Sequence, residues 1–253
     1  MVAIPEVLFV QLIASVRIVS WLVLVPPFST KAVPPMLRVG LAVALSFVVA
    51  PMVDAGQLPQ TAPALVFAVL TQVAIGAALG YVTMLLFQAI TAAGSLIDTF
   101  GGFSLAQAFD PLSQNMNTVF GQFHQMLAAM LLFATGAHLV VIGGLLRTFD
   151  VLPVGELPSL PPMQSVVQSS FTLFFVTAVQ VALPMVAVLF IADLGLALLT
   201  KVAPQLNAIN VMFPAKIGLT LLLVGMTFPA LSDVMGRLTD QVIEAMSAMV
   251  GGG

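Results

Sequence analysis

Charge is what this chain has least of. Only 7% of its 253 residues are Asp, Glu, Lys or Arg, against roughly a quarter in soluble domains, and from Ala55 to Ile97 there is no charged residue at all. Water cannot be the solvent of such a run. Seven bases against ten acids, a net charge of −3 and no basic cluster leave nothing to neutralise a phosphate backbone, so nucleic acid is excluded as a partner. Cysteine is absent, which removes disulfides, thiol nucleophiles and thiolate-held metals together. A Gly-x-x-x-x-Gly-Lys-Ser/Thr loop is also missing, so any nucleotide-driven energy coupling falls to another subunit.

What is present is apolar: 60% of the residues are hydrophobic and the mean hydropathy is +1.14. This composition is that of an integral membrane protein. Glu6 precedes the first apolar stretch and Arg17 interrupts it, unlike a signal peptide with its leading positive charge, so the segment is expected to stay in the mature protein. Six apolar blocks follow one another: Val7 to Val25, Leu37 to Val53, Pro63 to Ile97, Met126 to Leu146, Val166 to Ala192 and Val211 to Leu231. They are continuous and rich in Leu, Ala and Val, which predicts helices rather than barrel strands. The fold class expected is all-α, with long kinked helices and helical hairpins built to pack within a hetero-oligomer. Lys31, Arg38 and Lys201 outvote Arg147 and Arg237, predicting six spans with the N-terminus outside.

Several blocks suit protein better than lipid. Pro63 to Ile97 would form a helix of roughly 52 Å, too long for a bilayer core of about 30 Å, and is read as one long or kinked helix. Arg17 and Lys216 lie inside blocks, where a central base costs roughly 2.5 to 3.5 kcal/mol, so each faces protein or water. Pro184 should kink the fifth block. Gly76 with Gly80, and Gly40 with Ala44, offer small surfaces for close helix contact.

No enzyme motif survives inspection. Asp98 and Asp110 would be the carboxylate pair of an intramembrane protease, yet each sits where a turn-capping Asp is found. Ser95 and Ser104 lie in no Gly-x-Ser-x-Gly elbow that would pair them with His124 or His138. On one helix those two histidines would share a face about 21 Å apart, too far to ligate a common metal. No metal or cofactor is expected.

The stretch Asp98 to Gln125 is unusual for a membrane loop. It interleaves five Phe residues with Gln, Asn, Ser and Gly, and Asp110 is its only charge after Asp98. Water would demand more charge and lipid would leave irregular backbone unsatisfied, so the segment belongs inside protein, beside an aqueous cavity. Apolar side chains such as Phe103, Leu105, Phe109 and Met116 can close a pore by dewetting. A re-entrant segment that packs helices and gates nothing fits the residues equally well.

The order of short motifs resembles the FliR family of flagellar type III export proteins, called SctT in virulence secretion systems. It is carried by Pro26-Pro27-Phe28, Val33-Pro34 and Arg38-Val-Gly-Leu-Ala, then Gln72 to Gly80 and Ala106-Gln-Ala-Phe-Asp-Pro111. Further along come Gly136-Ala-His-Leu139, Phe149 to Gly155, Ala203-Pro-Gln-Leu-Asn207 and Phe213-Pro-Ala-Lys-Ile-Gly218. The resemblance implies a non-enzymatic subunit of the export gate in the bacterial inner membrane, multi-pass, in the flagellar basal body. It implies FliP and FliQ as channel partners, FlhB as a further contact, and unfolded flagellar proteins as cargo. Residues 1–165 would be FliP-like, including the plug loop, and 166–253 a FliQ-like hairpin, together one cooperative unit. Phe103, Leu105, Phe109, Asp110, Pro111 and Met116 fall on the family's plug. Arg17 and Lys216 would pair with neighbouring subunits, and Pro204, Gln205 and Asn207 would form a turn at the cytoplasmic entrance. The form of Ala203 to Gly218 favours a flagellum over an injectisome. The competing class is a small-molecule or ion transporter whose site lies between helices broken near Gly76 to Gly80 and at Pro184.

Overall fold

A computed structural model describes residues 4–52, 61–103, 118–156, 159–203, 208–225 and 227–251. The regular structure among them is helical throughout: α1 (Ile4–Leu24), α2 (Pro35–Val49), a 3-10 turn (Ala50–Met52), α3 (Ala62–Gly101), α4 (Val119–Ala134), α5 (Ala137–Val151), α6 (Leu160–Val202), α7 (Ala208–Val224) and α8 (Thr227–Val250). The all-α membrane class is what the chain adopts. By length and composition α3 and α6 can each cross a bilayer, and the total rises to four if α4 with α5, and α7 with α8, each form one bent span. The apolar parts of α1 and α2 fall short of the roughly 20 residues a span needs. Six independent spans are thus not what these helices provide.

Local chemistry sets the boundaries. Pro34 and Pro35 open α2, where proline's fixed φ and missing N–H cost nothing. Gly102, at φ 84°, stops α3, and Gly136, at φ 73°, separates α4 from α5; only glycine takes that left-handed backbone freely. The fourth apolar block is therefore two helices, and the single-helix spacing expected between His124 and His138 does not apply. The sixth block also divides, α7 ending at Val224 and α8 starting at Thr227. By contrast α3 runs unbroken through Gly76 and Gly80, and α6 through Pro184. The broken helices that a transporter site required are not there.

Two compact units are present. The first comprises Met1–Leu86, Thr135–Thr172 and Leu238–Gly253. In it α2 packs on α1, and Trp21, Ile18, Leu22, Leu79, Leu145 and Phe149 are fully buried. The second comprises Phe87–Ala134 and Leu173–Arg237, with Ile90, Ile97, Leu189 and Leu231 at its core. Helix α8 differs from the rest in being strongly amphipathic. Asp233, Arg237, Asp240 and Glu244 line its exposed side at helical spacing, opposite buried Val234, Leu238, Val242 and Met246.

Candidate functional site

The segment 104–117 holds Leu105, Phe109, Asp110, Pro111 and Met116 and lies outside the described residues, as do Pro204, Gln205 and Asn207. What flanks 104–117 is well defined. Asp98, in the last turn of α3, is buried, and its Oδ2 accepts the backbone N–H groups of Phe120 (2.8 Å) and Gly121 (3.2 Å) at the start of α4. The first N–H groups of a helix have no partner within it, and a carboxylate there also meets the positive end of the helix dipole. Asp98 therefore caps α4 from another helix, not a turn of its own. Ser95 Oγ lies 2.9 Å from Thr118 Oγ1, and the ring of Phe103 meets that of Phe120 edge-on at 5.0 Å.

Glycine makes this junction close. A Cβ on Gly94 would collide with the Phe120 carbonyl and come within 2.8 Å of the Gly121 Cα. Below the cap, fully buried His124 has Nδ1 2.8 Å from the Phe120 carbonyl. Since a carbonyl only accepts, Nδ1 is the donor in this contact. Of the groups that the proteolytic and Ser/His readings needed, Asp110 and Ser104 lie outside the described residues. Asp98 is spent on backbone N–H groups, and Ser95 is engaged with Thr118 and the Thr91 carbonyl. Among the described residues no three His, Asp or Glu side chains gather as a metal site would require.

Arg17 occupies the heart of the first unit. Expected above to meet a neighbouring subunit, it is fully buried within its own chain. Its Nε donates to Gln72 Oε1 at 2.6 Å, its Nη1 to the Thr148 carbonyl and hydroxyl at 3.3 Å, and its Nη2 to the Leu152 carbonyl at 2.9 Å. The guanidinium also lies 4.0 Å from the centre of the Phe149 ring. Thr148 and Leu152 bring carbonyls from the C-terminal end of α5, the negative end of its dipole, so a cation is well placed there. Gly76 and Gly80 seat α3 on α1, the helix that carries Arg17. A Cβ on Gly76 would strike the Arg17 carbonyl and come within 2.9 Å of Ser20 Cβ, and one on Gly80 would come within 3.2 Å of Trp21 Cα. Gly40 makes no such contact: a Cβ there meets nothing within 4 Å among the described residues. Helix α2 buries Ala42, Ser46 and Val49, and two residues from Ala42 is about 200° around a helix, which turns Gly40 outward.

In the second unit Lys216 of α7 donates to Asp193 Oδ2 of α6 at 2.9 Å, with Oδ1 at 2.8 Å. Lys216 is 9% exposed, so the base that looked costly in an apolar block has its counter-charge within the chain. Sequence reading passed over Asp193. Its signal was available, for a lone acid at the end of one apolar block and a lone base inside the next are the expected form of a hairpin ion pair. Asp98 as a cap and Thr148 as a partner of Arg17 carried no such signal.

Comparison with known proteins adds a separate line of observation. Residues 8–242 match the family described as bacterial export proteins, family 1. Among individual relatives, "Flagellar biosynthetic protein FliR" of Escherichia coli (strain K12) is 27% identical, over 92% of this chain and 90% of its own. The protein of that name from Pectobacterium carotovorum subsp. carotovorum is 29% identical, over 92% and 89%. "Surface presentation of antigens protein SpaR" of Salmonella typhimurium is 29% identical, over 72% and 69%.

Proposed function

The chain belongs to the bacterial export proteins, family 1, and from that premise we propose that it is a non-enzymatic subunit of the flagellar type III export gate. In this reading it assembles with FliP and FliQ in the bacterial inner membrane, within the flagellar basal body, and is contacted by FlhB. Residues 1–165 serve as the FliP-like part and 166–253 as the FliQ-like hairpin. Unfolded flagellar proteins pass through the channel, and the segment around Phe103 to Met116 plugs it when closed.

The observation that carries the assembly is the exposed length of α6. Large apolar side chains face outward from Phe171 through Phe175, Leu183, Phe190 and Leu194 to Leu199, a stretch of roughly 42 Å. Hydrocarbon covers about 30 Å, and a 20° tilt shortens the stretch by only about 3 Å. Lipid alone leaves about two turns of apolar helix uncovered, and helices of partner proteins are the chemistry that covers them. The polar face of α8 supports the same reading, because Asp233, Asp240 and Glu244 would be costly in lipid.

The deciding experiment is extraction in mild detergent followed by affinity purification of the tagged chain. A stable complex with two further small membrane proteins, FliP-like and FliQ-like, is the expected result. A lone monomer that binds a small solute would overturn the proposal.

A further inference from the structure

Within the first unit, a cavity of about 300 Å³ opens between the C-terminal halves of α5 and α8, lined by Gly144, Arg147, Asp150, Ile243, Ser247 and Val250 among others. That volume reaches the lower end of the range of small-molecule pockets, about 300 to 1,000 Å³. Arg147 and Asp150 stand one helical turn apart on α5, both exposed. The Thr148 hydroxyl between them is already committed to the Leu145 carbonyl and to Arg17. The charged groups that face a polar guest are thus one cation and one anion set side by side, with the Ser247 hydroxyl on the facing helix.

The surroundings say what kind of guest. Through Val250 the cavity adjoins a narrow apolar crevice of about 10 Å³ between Ile75, Leu79, Met163 and Met249, room for one water and no more. The surface also changes character here. Along α5 the exposed residues pass from Leu139 and Val140 to Arg147 and Asp150, with half-exposed Val151 closing the helix, and along α6 from Gln164, Ser165 and Gln168 to Phe171. Both helices thus cross from polar to apolar surface near the connection that joins them, which is where headgroups of a bilayer lie. A paired charge site at that level, continuous with the exposed apolar surface at Leu139, Val140 and Phe171, fits an amphiphile with both charges in its head.

We propose that this cavity binds a phospholipid whose headgroup carries a phosphate and a primary amine. Arg147 presents a forked guanidinium that matches phosphate oxygens bidentately, and Asp150 accepts N–H bonds from the ammonium. A quaternary amine has no N–H to give, so phosphatidylcholine loses the second contact. Phosphatidylglycerol has no cation for Asp150 and meets its repulsion instead. The acyl chains lie along the exposed apolar surface of α5 at Leu139 and Val140, which share a helix face with Asp150 and Arg147.

The test is native mass spectrometry of the full chain in its membrane assembly, with phosphatidylethanolamine, phosphatidylglycerol and phosphatidylcholine in competition. Phosphatidylethanolamine should be retained about tenfold over phosphatidylcholine, the equivalent of one charge-assisted contact. Asp150→Ala should abolish the preference over phosphatidylglycerol while phosphate binding persists, Arg147→Ala should lose all three lipids, and Arg147→Lys should recover part. A structural defect would not redistribute headgroup preference in this way. Equal retention of the three lipids by the wild type, unchanged retention in both alanine variants, or a protein chain filling the cavity in the assembly would each overturn the proposal.

Discussion

Arg17 is a buried cation whose partners are an amide, two backbone carbonyls, a hydroxyl and an aromatic face. Removing it leaves the Gln72, Thr148 hydroxyl and Leu152 carbonyl oxygens short of a donor in a dry site, so Arg17→Ala should cost on the order of 2 to 4 kcal/mol. Arg17→Lys should recover less than half, because a single ammonium cannot reach acceptors arranged around a planar fork. Thermal denaturation of the detergent-solubilised protein checks both. Asp98 offers a second test with a different logic. Asp98→Ala should destabilise the α4 start by about 1 to 2 kcal/mol, whereas Asp98→Asn keeps a carbonyl acceptor and should lose less than half of that; hydrogen exchange at Phe120 and Gly121 is the direct readout. That Arg17 must face something other than lipid was legible in its position in an apolar block. Its partners were not, since Thr148 and Leu152 lie 131 and 135 residues away, and no local pattern encodes such a distance.

Helices are where the sequence spoke most clearly. The charge-free run from Ala55 to Ile97 demanded a helix longer than a bilayer, and α3 at 40 residues is that helix. Where the chain breaks was harder to see, because Gly136 and Gly225 sit in apolar surroundings like those of Gly76 and Gly80. A glycine that ends a helix and one that seats a helix look alike until its neighbours are known. The contrast yields a paired prediction. Gly76→Ala places a Cβ against the Arg17 carbonyl and should destabilise the protein, while Gly40→Ala meets open space and should stabilise it by roughly 0.5 to 1 kcal/mol through the helix preference of alanine. Melting temperatures of the two variants, measured side by side, decide it.

On the scale of the whole molecule, the clasp formed by Asp98, Ser95, Thr118 and Phe120 anchors both ends of the segment proposed as the plug. Deleting Gly102 to Met116 from an intact assembly should raise its ion conductance several-fold, and unchanged conductance in planar bilayers would remove the plug from the proposal. The family was legible from the joint order of motifs, each of them short, whereas the contacts that staple each unit internally, such as Arg17 with Thr148 and Asp98 with Phe120, join residues outside any one motif. One of those staples also bears on time. Gln72 follows Arg17 by 55 residues and Leu152 by 135, and ribosomes add about 5 to 20 residues per second. For roughly 7 to 27 s after its own synthesis, the guanidinium of the first helix has no completed home, so this helix cannot settle in the membrane in the order in which it is born. Biogenesis must hold the N-terminal helix in a polar or chaperoned setting until α5 arrives, and with a ribosome stalled before residue 148 a cysteine introduced into α1 should stay reactive towards a membrane-impermeant thiol reagent.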